Sequence, residues 1–554
     1  MKKLLLALTA LTLPATASAQ GMVTSADPRA TLAGQQILRD GGTAADAAMA
    51  MLLALTVVEP QSSGIGGGGF LLYHDGTTGL IDTIDGRETA PAAATPDRFV
   101  RPDGTPRPFF EAVAGGRSVG VPGNVRLMAM THARWGKLPW KALFAPAIKL
   151  AQDGYQVTRP MNAGITATSR LWSNFPEIAK LYTIDSRPLP IGATVKNPNL
   201  AKYLKKLANG GPAAFYTGDN ARTIVGAATG SKLAPSDITL ADLAAYQAKP
   251  RAAVCGKYRV YKICGMGPPS SGATTVLQIL GMLERFDMTK LGKDSPTAWH
   301  LIGEAMQLAY ADRDKYLGDS DFVSVPLAGL IDPAYIESRS RLISTDKALA
   351  TYEAGTPPGA EPRTAAPSAE VPSTTHFIAI DAKGDIATMT STVEGPFGSQ
   401  LIANGYVLNN ELTDFTFVPE KNGMPVANRV QGGKRPLSSM SPTIVYDAAG
   451  TPIFTVGAAG GKTIIMQVAK ALIAHLDWHQ SARDAIGEGL VFFNARGLVL
   501  EQGTARETLL APLEKLGHKV VVAKLGLKAN AAERTPAGWV GAADPRSVGT
   551  ALAQ

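Results

Sequence analysis

Thr374-Thr375-His376 is the place in this 554-residue chain where residue type and position together suggest chemistry. It follows residues 351–373, which hold Pro357, Pro358, Pro362, Pro367 and Pro372 without hydrophobic periodicity and read as a mobile loop. Directly after it, Phe377-Ile378-Ala379-Ile380 and Ile386-Ala387-Thr388-Met389-Thr390-Ser391-Thr392-Val393 flank Asp381-Ala382-Lys383-Gly384-Asp385, the pattern of a β-hairpin. A threonine hydroxyl alone is a poor nucleophile. Breaking the bond between Ser373 and Thr374 would give Thr374 an α-amine with a pKa near neutral, so that one residue supplies both nucleophile and base. An isolated Thr-Thr pair is more often the polar start of a strand, and the surrounding motifs must decide between the two readings.

Four other patterns hint at chemistry. Gly116-Arg117-Ser118-Val119-Gly120 fits G-x-S-x-G and would make Ser118 a nucleophile, but no strand leads into it and Val121-Pro122-Gly123 delays the next helix, so a turn is expected. Gly457-Ala458-Ala459-Gly460-Gly461-Lys462-Thr463 is one residue short of a phosphate-binding loop, which argues against nucleotide binding. Backbone N–H groups at a helix start still favour negative charge, including an oxyanion. His475 and His479 stand at i, i+4 on an expected helix end without a third ligand, which favours ordinary histidines over a metal site. The glycines at 66–69 precede a strand rather than a helix, which points to close backbone packing instead of a dinucleotide site.

These residues need a frame. Helices are expected at 28–39, with Asp27 as N-cap, and at 43–58, a segment apolar enough to be central. A glycine-rich turn feeds a strand at 70–73, and a second strand at 78–84 ends in Asp85-Gly86-Arg87-Glu88. Residues 120–350 read as mainly helical, interrupted by a strand pair around Cys255 and Cys264 and by Gly267-Pro268-Pro269-Ser270-Ser271-Gly272. Strands return after 374, with one at 451–456, then the glycine loop and a helix at 463–476. Helix-rich layers around two strand-rich blocks predict an α/β sandwich assembled from both halves of the chain.

Composition narrows the setting. Lys2 and Lys3, an apolar run at 4–13 and Ala17-Ser18-Ala19 read as a secretory signal over residues 1–19, leaving 554 − 19 = 535 residues for an exported protein, periplasmic or secreted, with no membrane anchor after signal removal. The formal charge of +8 falls to +6 without Lys2 and Lys3, and the basic residues are scattered, which argues against nucleic acid as a partner. In an oxidising compartment Cys255 and Cys264 support a disulfide; the alternative is two buried thiols on strands that do not face each other.

Thr374-Thr375-His376, taken with Asn409-Asn410-Glu411-Leu412-Thr413-Asp414-Phe415, Lys434-Arg435-Pro436-Leu437-Ser438-Ser439-Met440-Ser441-Pro442-Thr443 and the double glycine at 460 and 461, resembles the γ-glutamyltranspeptidase family. Pro60-Gln61-Ser62, Asp85-Gly86-Arg87-Glu88, Val121-Pro122-Gly123 and Pro268-Pro269-Ser270-Ser271-Gly272 extend the resemblance over nearly the whole mature sequence. It implies a four-layer αββα sandwich of the N-terminal nucleophile type, α/β (α+β) in class. It also implies self-cleavage into a large subunit, 20–373, and a small one, 374–554, that stay together as a heterodimer. The implied activity moves the γ-glutamyl group of glutathione and related amides to water or to amino acids and peptides, with no metal or organic cofactor. Thr374 would be the nucleophile, Thr392 would hydrogen-bond it, and Gly460 and Gly461 would hold the oxyanion. Arg87, Ser438 and Ser439 would take the substrate α-carboxylate, and Glu394, Glu411 and Asp414 its α-ammonium. The residue types suit a zwitterion: a cation beside hydroxyl donors at one end, carboxylates at the other.

Three departures qualify the transfer. Glu394 stands where some members carry asparagine, adding charge near Glu411 and Asp414; the segment 416–433 is shorter than the lid of long-lidded members and holds no tyrosine, which suggests an open site; and Glu488-Gly489-Leu490-Val491-Phe492-Phe493 lacks a Pro-Arg often found there. Two alternatives stay open. One is an acylase of the same family acting on glutaryl groups of cephalosporin-type nuclei. The other is an inactive binder of γ-glutamyl compounds.

Overall fold

Alternating apolar residues on either side of the turn at 381–385 build the hairpin around which the molecule is organised. The computed structural model describes residues 21–367, 370–371 and 373–554, so the leader read at 1–19 lies outside the described residues. Thr375–Ile380 pairs antiparallel with Ile386–Thr392, from Thr375 opposite Ser391 to Ile380 opposite Ile386. Successive side chains point to opposite faces. Phe377 and Ala379 therefore join a core shared with the N-terminal helices, while Ile378 and Ile380 meet Leu72, Ile444 and Tyr446 on the other face.

The hairpin lies inside a seven-stranded antiparallel sheet in the order Thr550–Ala553, Met22–Ser25, Thr375–Ile380, Ile386–Thr392, Gly68–His74, Ile81–Asp85 and Lys249–Arg251. A second sheet of six strands runs Gly538–Ala543, Lys528–Thr535, Pro452–Ala459, Thr443–Tyr446, Tyr261–Gly265 and Val254–Tyr258. Both sheets mix strands from before and after Thr374. They face each other across the cluster containing Ile378 and Ile444, and there His376 packs so tightly under Gly457 that a Cβ on that glycine would lie 2.2 Å from the imidazole.

Helices close both outer faces. Ala44–Val58 is buried along its whole length, with Thr43 and Asp46 forming a reciprocal cap at its start, and it packs with Pro28–Arg39 on the first sheet. Gly272–Leu283, Pro296–Tyr316 and Thr463–Leu476 cover the second sheet. This is the αββα order expected. Among the described residues no helix is long and apolar enough to cross a membrane.

Some boundaries moved for identifiable reasons. The strand read at 78–84 begins only at Ile81, because Asp75 Oδ1 accepts the N–H groups of Thr77 and Thr78 at 2.9 and 2.8 Å and Gly79 turns at φ 72°. Cys255 and Cys264 fall directly opposite in the hairpin register and form a disulfide, which removes the reading of two separate thiols. Of the loop before Thr374, residues 351–367 carry no helix or strand but cross the helix Pro296–Tyr316, where Tyr316 donates to Gly355 O at 2.7 Å and Gly355 N–H donates to Asp312 at 2.8 Å. The segment at 488–493 feeds a separate small sheet through Val491–Asn494.

Candidate active site

Extending the hairpin register by one residue puts Thr374 opposite Thr392. Their hydroxyls meet at 3.0 Å, and Thr392 Oγ1 also accepts the Glu394 N–H at 2.8 Å. Thr374 is buried and held at φ 87°, a left-handed conformation that a β-branched residue adopts only when its surroundings impose it. The chain leaves the partner strand at Glu394, φ 76°, whose carboxylate turns toward the same cavity. There it accepts the Asn410 side-chain amide and, at 3.0 Å, the Val371 N–H.

The cavity is lined by Thr374, Thr392, Arg87, Glu394, Glu411, Asp414, Ser438, Ser439 and Gly461, together with Glu370 and Val371 from the segment before Thr374. Nine of the ten residues named from the sequence thus converge; Gly460 precedes Gly461 in the loop, at φ 139°. Among the described residues, neither glycine N–H donates a hydrogen bond to protein, as an oxyanion site requires. With Glu370 and Val371 in place the cavity retains about 20 Å³, room for one water.

The charged groups are arranged differently from the two separate ends read from the sequence. Arg87 is fully buried and pairs directly with Glu411 and, at 2.5 Å, with Asp414, both carried on the short 3-10 turn Glu411–Asp414. It also donates to Pro436 O and Leu437 O. Arg87 and two of the three acidic residues are therefore each other's partners. Burial pushes Glu394, Glu411 and Asp414 well above the usual carboxylate range, although Arg87 pulls the latter two back.

Ser438 and Ser439 are set by the Pro268-Pro269-Ser270-Ser271-Gly272 turn: Ser438 N–H donates to Pro269 O at 3.0 Å, and Ser271 Oγ donates to Ser438 O at 2.8 Å. A residue missed in the sequence, Arg313, stands behind them. Its Nε donates to Ser271 Oγ and its Nη2 to Ser439 Oγ, both at 2.9 Å, and Nη2 also donates to Glu370 Oε1 at 2.6 Å. The available signal was an Asp-Arg-Asp run at 312–314 near the end of a long helix.

The competing motifs resolve as structure. Ser118 lies buried in a 3-10 turn and donates to Val113 O and Gly115 O. Gly66 and Gly67 lie against backbone, where a Cβ would come within 2.0 Å of Val407 O and 1.9 Å of Thr392 O respectively. The helix ends at Leu476, so His479 does not share its face with His475, which stacks on Phe454 and bonds Gln480 O. Thr463 Oγ1 turns back onto Gly460 O. Among the described residues one cluster has metal-ligand composition, His300, Glu304 and His518; the imidazoles bond each other, and Glu304 receives Leu349 N–H and Tyr352 OH.

A buried threonine at the head of a central hairpin strand, in a cavity bordered by Gly461 within an αββα sandwich, is the architecture of an N-terminal nucleophile hydrolase. The chain belongs to the γ-glutamyltranspeptidase family: the profile described as Gamma-glutamyltranspeptidase matches residues 30–554. It is 37% identical over 540 residues to a glutathione hydrolase proenzyme of Escherichia coli (strain K12), covering 96% of this chain and 91% of that one. It is 35% identical over 522 residues to the acylase ACY 1 proenzyme of Pseudomonas sp. (strain V22), covering 92% and 88%. The fold is shared with the crystal structure of a cephalosporin acylase from Bacillus halodurans, at a TM-score of 0.84, 24% identity and 99% coverage of both chains. The chain is accordingly an enzyme of hydrolase and transferase type, and the reading as a binder without turnover falls.

Proposed function

We infer that this protein is an exported glutathione hydrolase and γ-glutamyltransferase that matures by cutting itself before Thr374. The observation that carries this reading is the 3.0 Å contact of the Thr374 and Thr392 hydroxyls in a cavity bordered by Gly461 and by carboxylates. Once Thr374 is N-terminal, its amine takes the hydroxyl proton as Oγ1 attacks the γ-carbonyl, and the N–H groups of Gly460 and Gly461 receive the charge that develops on oxygen. The leaving amine takes the proton and departs. Water or the amine of an amino acid or peptide then attacks the ester on Thr374 and releases glutamate or a new γ-glutamyl compound. The acidic residues would hold the donor ammonium, with Glu394 as the member that has no cationic partner among the described residues.

An acylase acting on glutaryl groups is the second reading, favoured by one observation: Glu411 and Asp414 are engaged by Arg87, which leaves fewer free carboxylates for an ammonium. The primary test is a denaturing gel with N-terminal sequencing beside the Thr374→Ala variant. Two fragments are expected from the wild type, the smaller beginning at Thr374 with 554 − 373 = 181 residues, together with hydrolysis of a γ-glutamyl anilide, and one uncut inactive chain from the variant. An uncut wild-type chain with full activity would sink the mechanism.

A further inference from the structure

Away from the catalytic cavity, the helix Pro296–Tyr316 carries His300 and Glu304 at i, i+4, one turn apart on the same face. Arg313, whose guanidinium reaches Ser439 at the cavity, stands 313 − 300 = 13 residues further on, roughly 20 Å along the axis at the helical rise per residue. The turn ahead of the strand Val520–Ala523 brings His518 against the pair, and the donor atoms of the three side chains all lie within 4.8 Å of one another. His300 and Glu304 are fully buried and His518 is 7% exposed.

The surroundings aim each of these groups inward as a lone-pair donor. His300 Nε2 bonds the Ser344 carbonyl at 2.8 Å, so the ring proton sits there, and the neutral imidazole presents Nδ1 to His518 Nε2 at 2.6 Å. Both oxygens of Glu304 accept, Oε2 from Leu349 N–H at 2.9 Å and Oε1 from the Tyr352 hydroxyl, as those of an ionised carboxylate do. Among the described residues no lysine or arginine pairs with Glu304, and His518 Nε2 lies 3.9 Å from its Oε1. A buried carboxylate without a full cation beside it is costly, and the two imidazole nitrogens converging on it are the usual companions of a carboxylate on a metal ion. Two donors on one tetrahedral zinc lie about 3.4 Å apart, so the imidazoles must part by about 0.8 Å and Oε1 must approach by about 0.5 Å. His518 follows Gly517, at φ 97°, in a turn rather than in a helix, and that turn is the element that shifts.

We propose that His300, Glu304 and His518 bind one zinc ion, or a divalent ion of similar softness, with water in the fourth position. Two nitrogens and one carboxylate oxygen suit such a metal, whereas calcium and magnesium take oxygen ligands. The ion ties segments together and takes no part in the reaction. His300 and Glu304 come before Thr374 and His518 after it, and Ala348 N–H already donates to Leu516 O across the same divide at 2.7 Å. The ligands therefore straddle the proposed cut, but all three are present in the uncut chain as well, and the site does not depend on that cut.

Untagged processed wild type and uncut Thr374→Ala are stripped of metal with a chelator and titrated calorimetrically with zinc ions alone; cobalt(II), whose visible absorption reports four-coordination, is titrated in parallel. One zinc per chain, cut or uncut, is expected, and zinc should raise the midpoint of denaturant unfolding. His518→Ala and Glu304→Gln should each weaken zinc binding by roughly hundredfold or more, since loss of an outer-shell partner alone costs about 10- to 100-fold, and should abolish the shift in midpoint. His479→Ala, at an exposed histidine, should bind as wild type does. Should His518→Ala fail to fold, Glu304→Gln carries the comparison. No zinc bound at micromolar concentration, binding unchanged in the ligand variants, or binding lost in His479→Ala overturns the site. A wild type that stays uncut yet binds zinc through His518 supports the site and sinks the proposed maturation instead.

Discussion

Among single residues, Glu394 separates the two substrate readings more cleanly than its neighbours do. Replacing Glu411 or Asp414 strips a partner from the buried Arg87, and breaking such a pair costs about 3–5 kcal/mol whatever the substrate. Glu394 has no cationic partner among the described residues: its carboxylate accepts from Asn410 and from Val371 N–H. Glu394→Gln keeps the shape and removes the charge. We expect KM for a γ-glutamyl anilide to rise by about tenfold with kcat little changed, because an interaction equal in ground and transition states is lost, whereas a glutaryl anilide, lacking the ammonium, stays within about twofold. Equal losses on both donors would remove Glu394 from ammonium recognition. The site was legible in the sequence as a set of residues but not as a set of pairings. Arg87 sits more than three hundred residues from Glu411 and Asp414, and whether such groups face a ligand or each other depends on which turn brings them together; the 3-10 turn Glu411–Asp414 aims both carboxylates at Arg87. Arg313 was missed because its Asp-Arg-Asp run reads as a solvated charged turn near a helix end, and nothing local shows that the arginine is buried.

For the elements, the close approach of the two sheets has a cost that depends on pH. His376 points from the hairpin strand into the interface, bonded to Thr390 Oγ1 at 2.9 Å and Thr388 Oγ1 at 3.1 Å under Gly457. Burial lowers its pKa from 6.5 to about 3, so the unfolded chain binds the proton more readily throughout the window between those values. The stability associated with neutral His376 is complete above the unfolded value and falls away as pH drops toward the folded one. Between pH 7 and pH 5 the loss amounts to about 2 kcal/mol. Denaturant unfolding of the uncut Thr374→Ala chain, with and without His376→Gln, isolates it: the gap between the two proteins should narrow by that amount on acidification. A constant gap would show that His376 is already protonated or exposed. The strands themselves were readable from alternation and turn residues, and the helix at 463–476 from its glycine start, since these are local patterns. The sheet order was not, because pairing Gly68–His74 with Ile386–Thr392 joins segments whose proximity no local period encodes.

Over the whole molecule, the proposed cut falls inside a structure that gives the two products no simple way to part. Thr375–Ile380, from the small subunit, is hydrogen-bonded on one side to Met22–Ser25, from the large one, and Met22–Ser25 pairs in turn with Thr550–Ala553 at the opposite end of the chain. On the other side of the hairpin, Ile386–Thr392 pairs with Gly68–His74, and in the second sheet Thr443–Tyr446 pairs with Tyr261–Gly265. Each subunit thus supplies internal strands of both sheets. The cores between and outside the sheets also draw apolar residues from both sides of Thr374, so separating the pieces would expose most of what holds either one folded. Salt screens surface charge but does not weaken apolar burial. Processed protein is therefore expected to elute as one species on a sizing column in about 2 M sodium chloride and to resolve into its two chains only under denaturant, where hydrogen-bonded strands and cores are lost together. Recovery of a free, folded 181-residue fragment under native conditions (554 − 373 = 181) would contradict the interleaving of the sheets, and with it the requirement that the large subunit hold Thr374 opposite the donor.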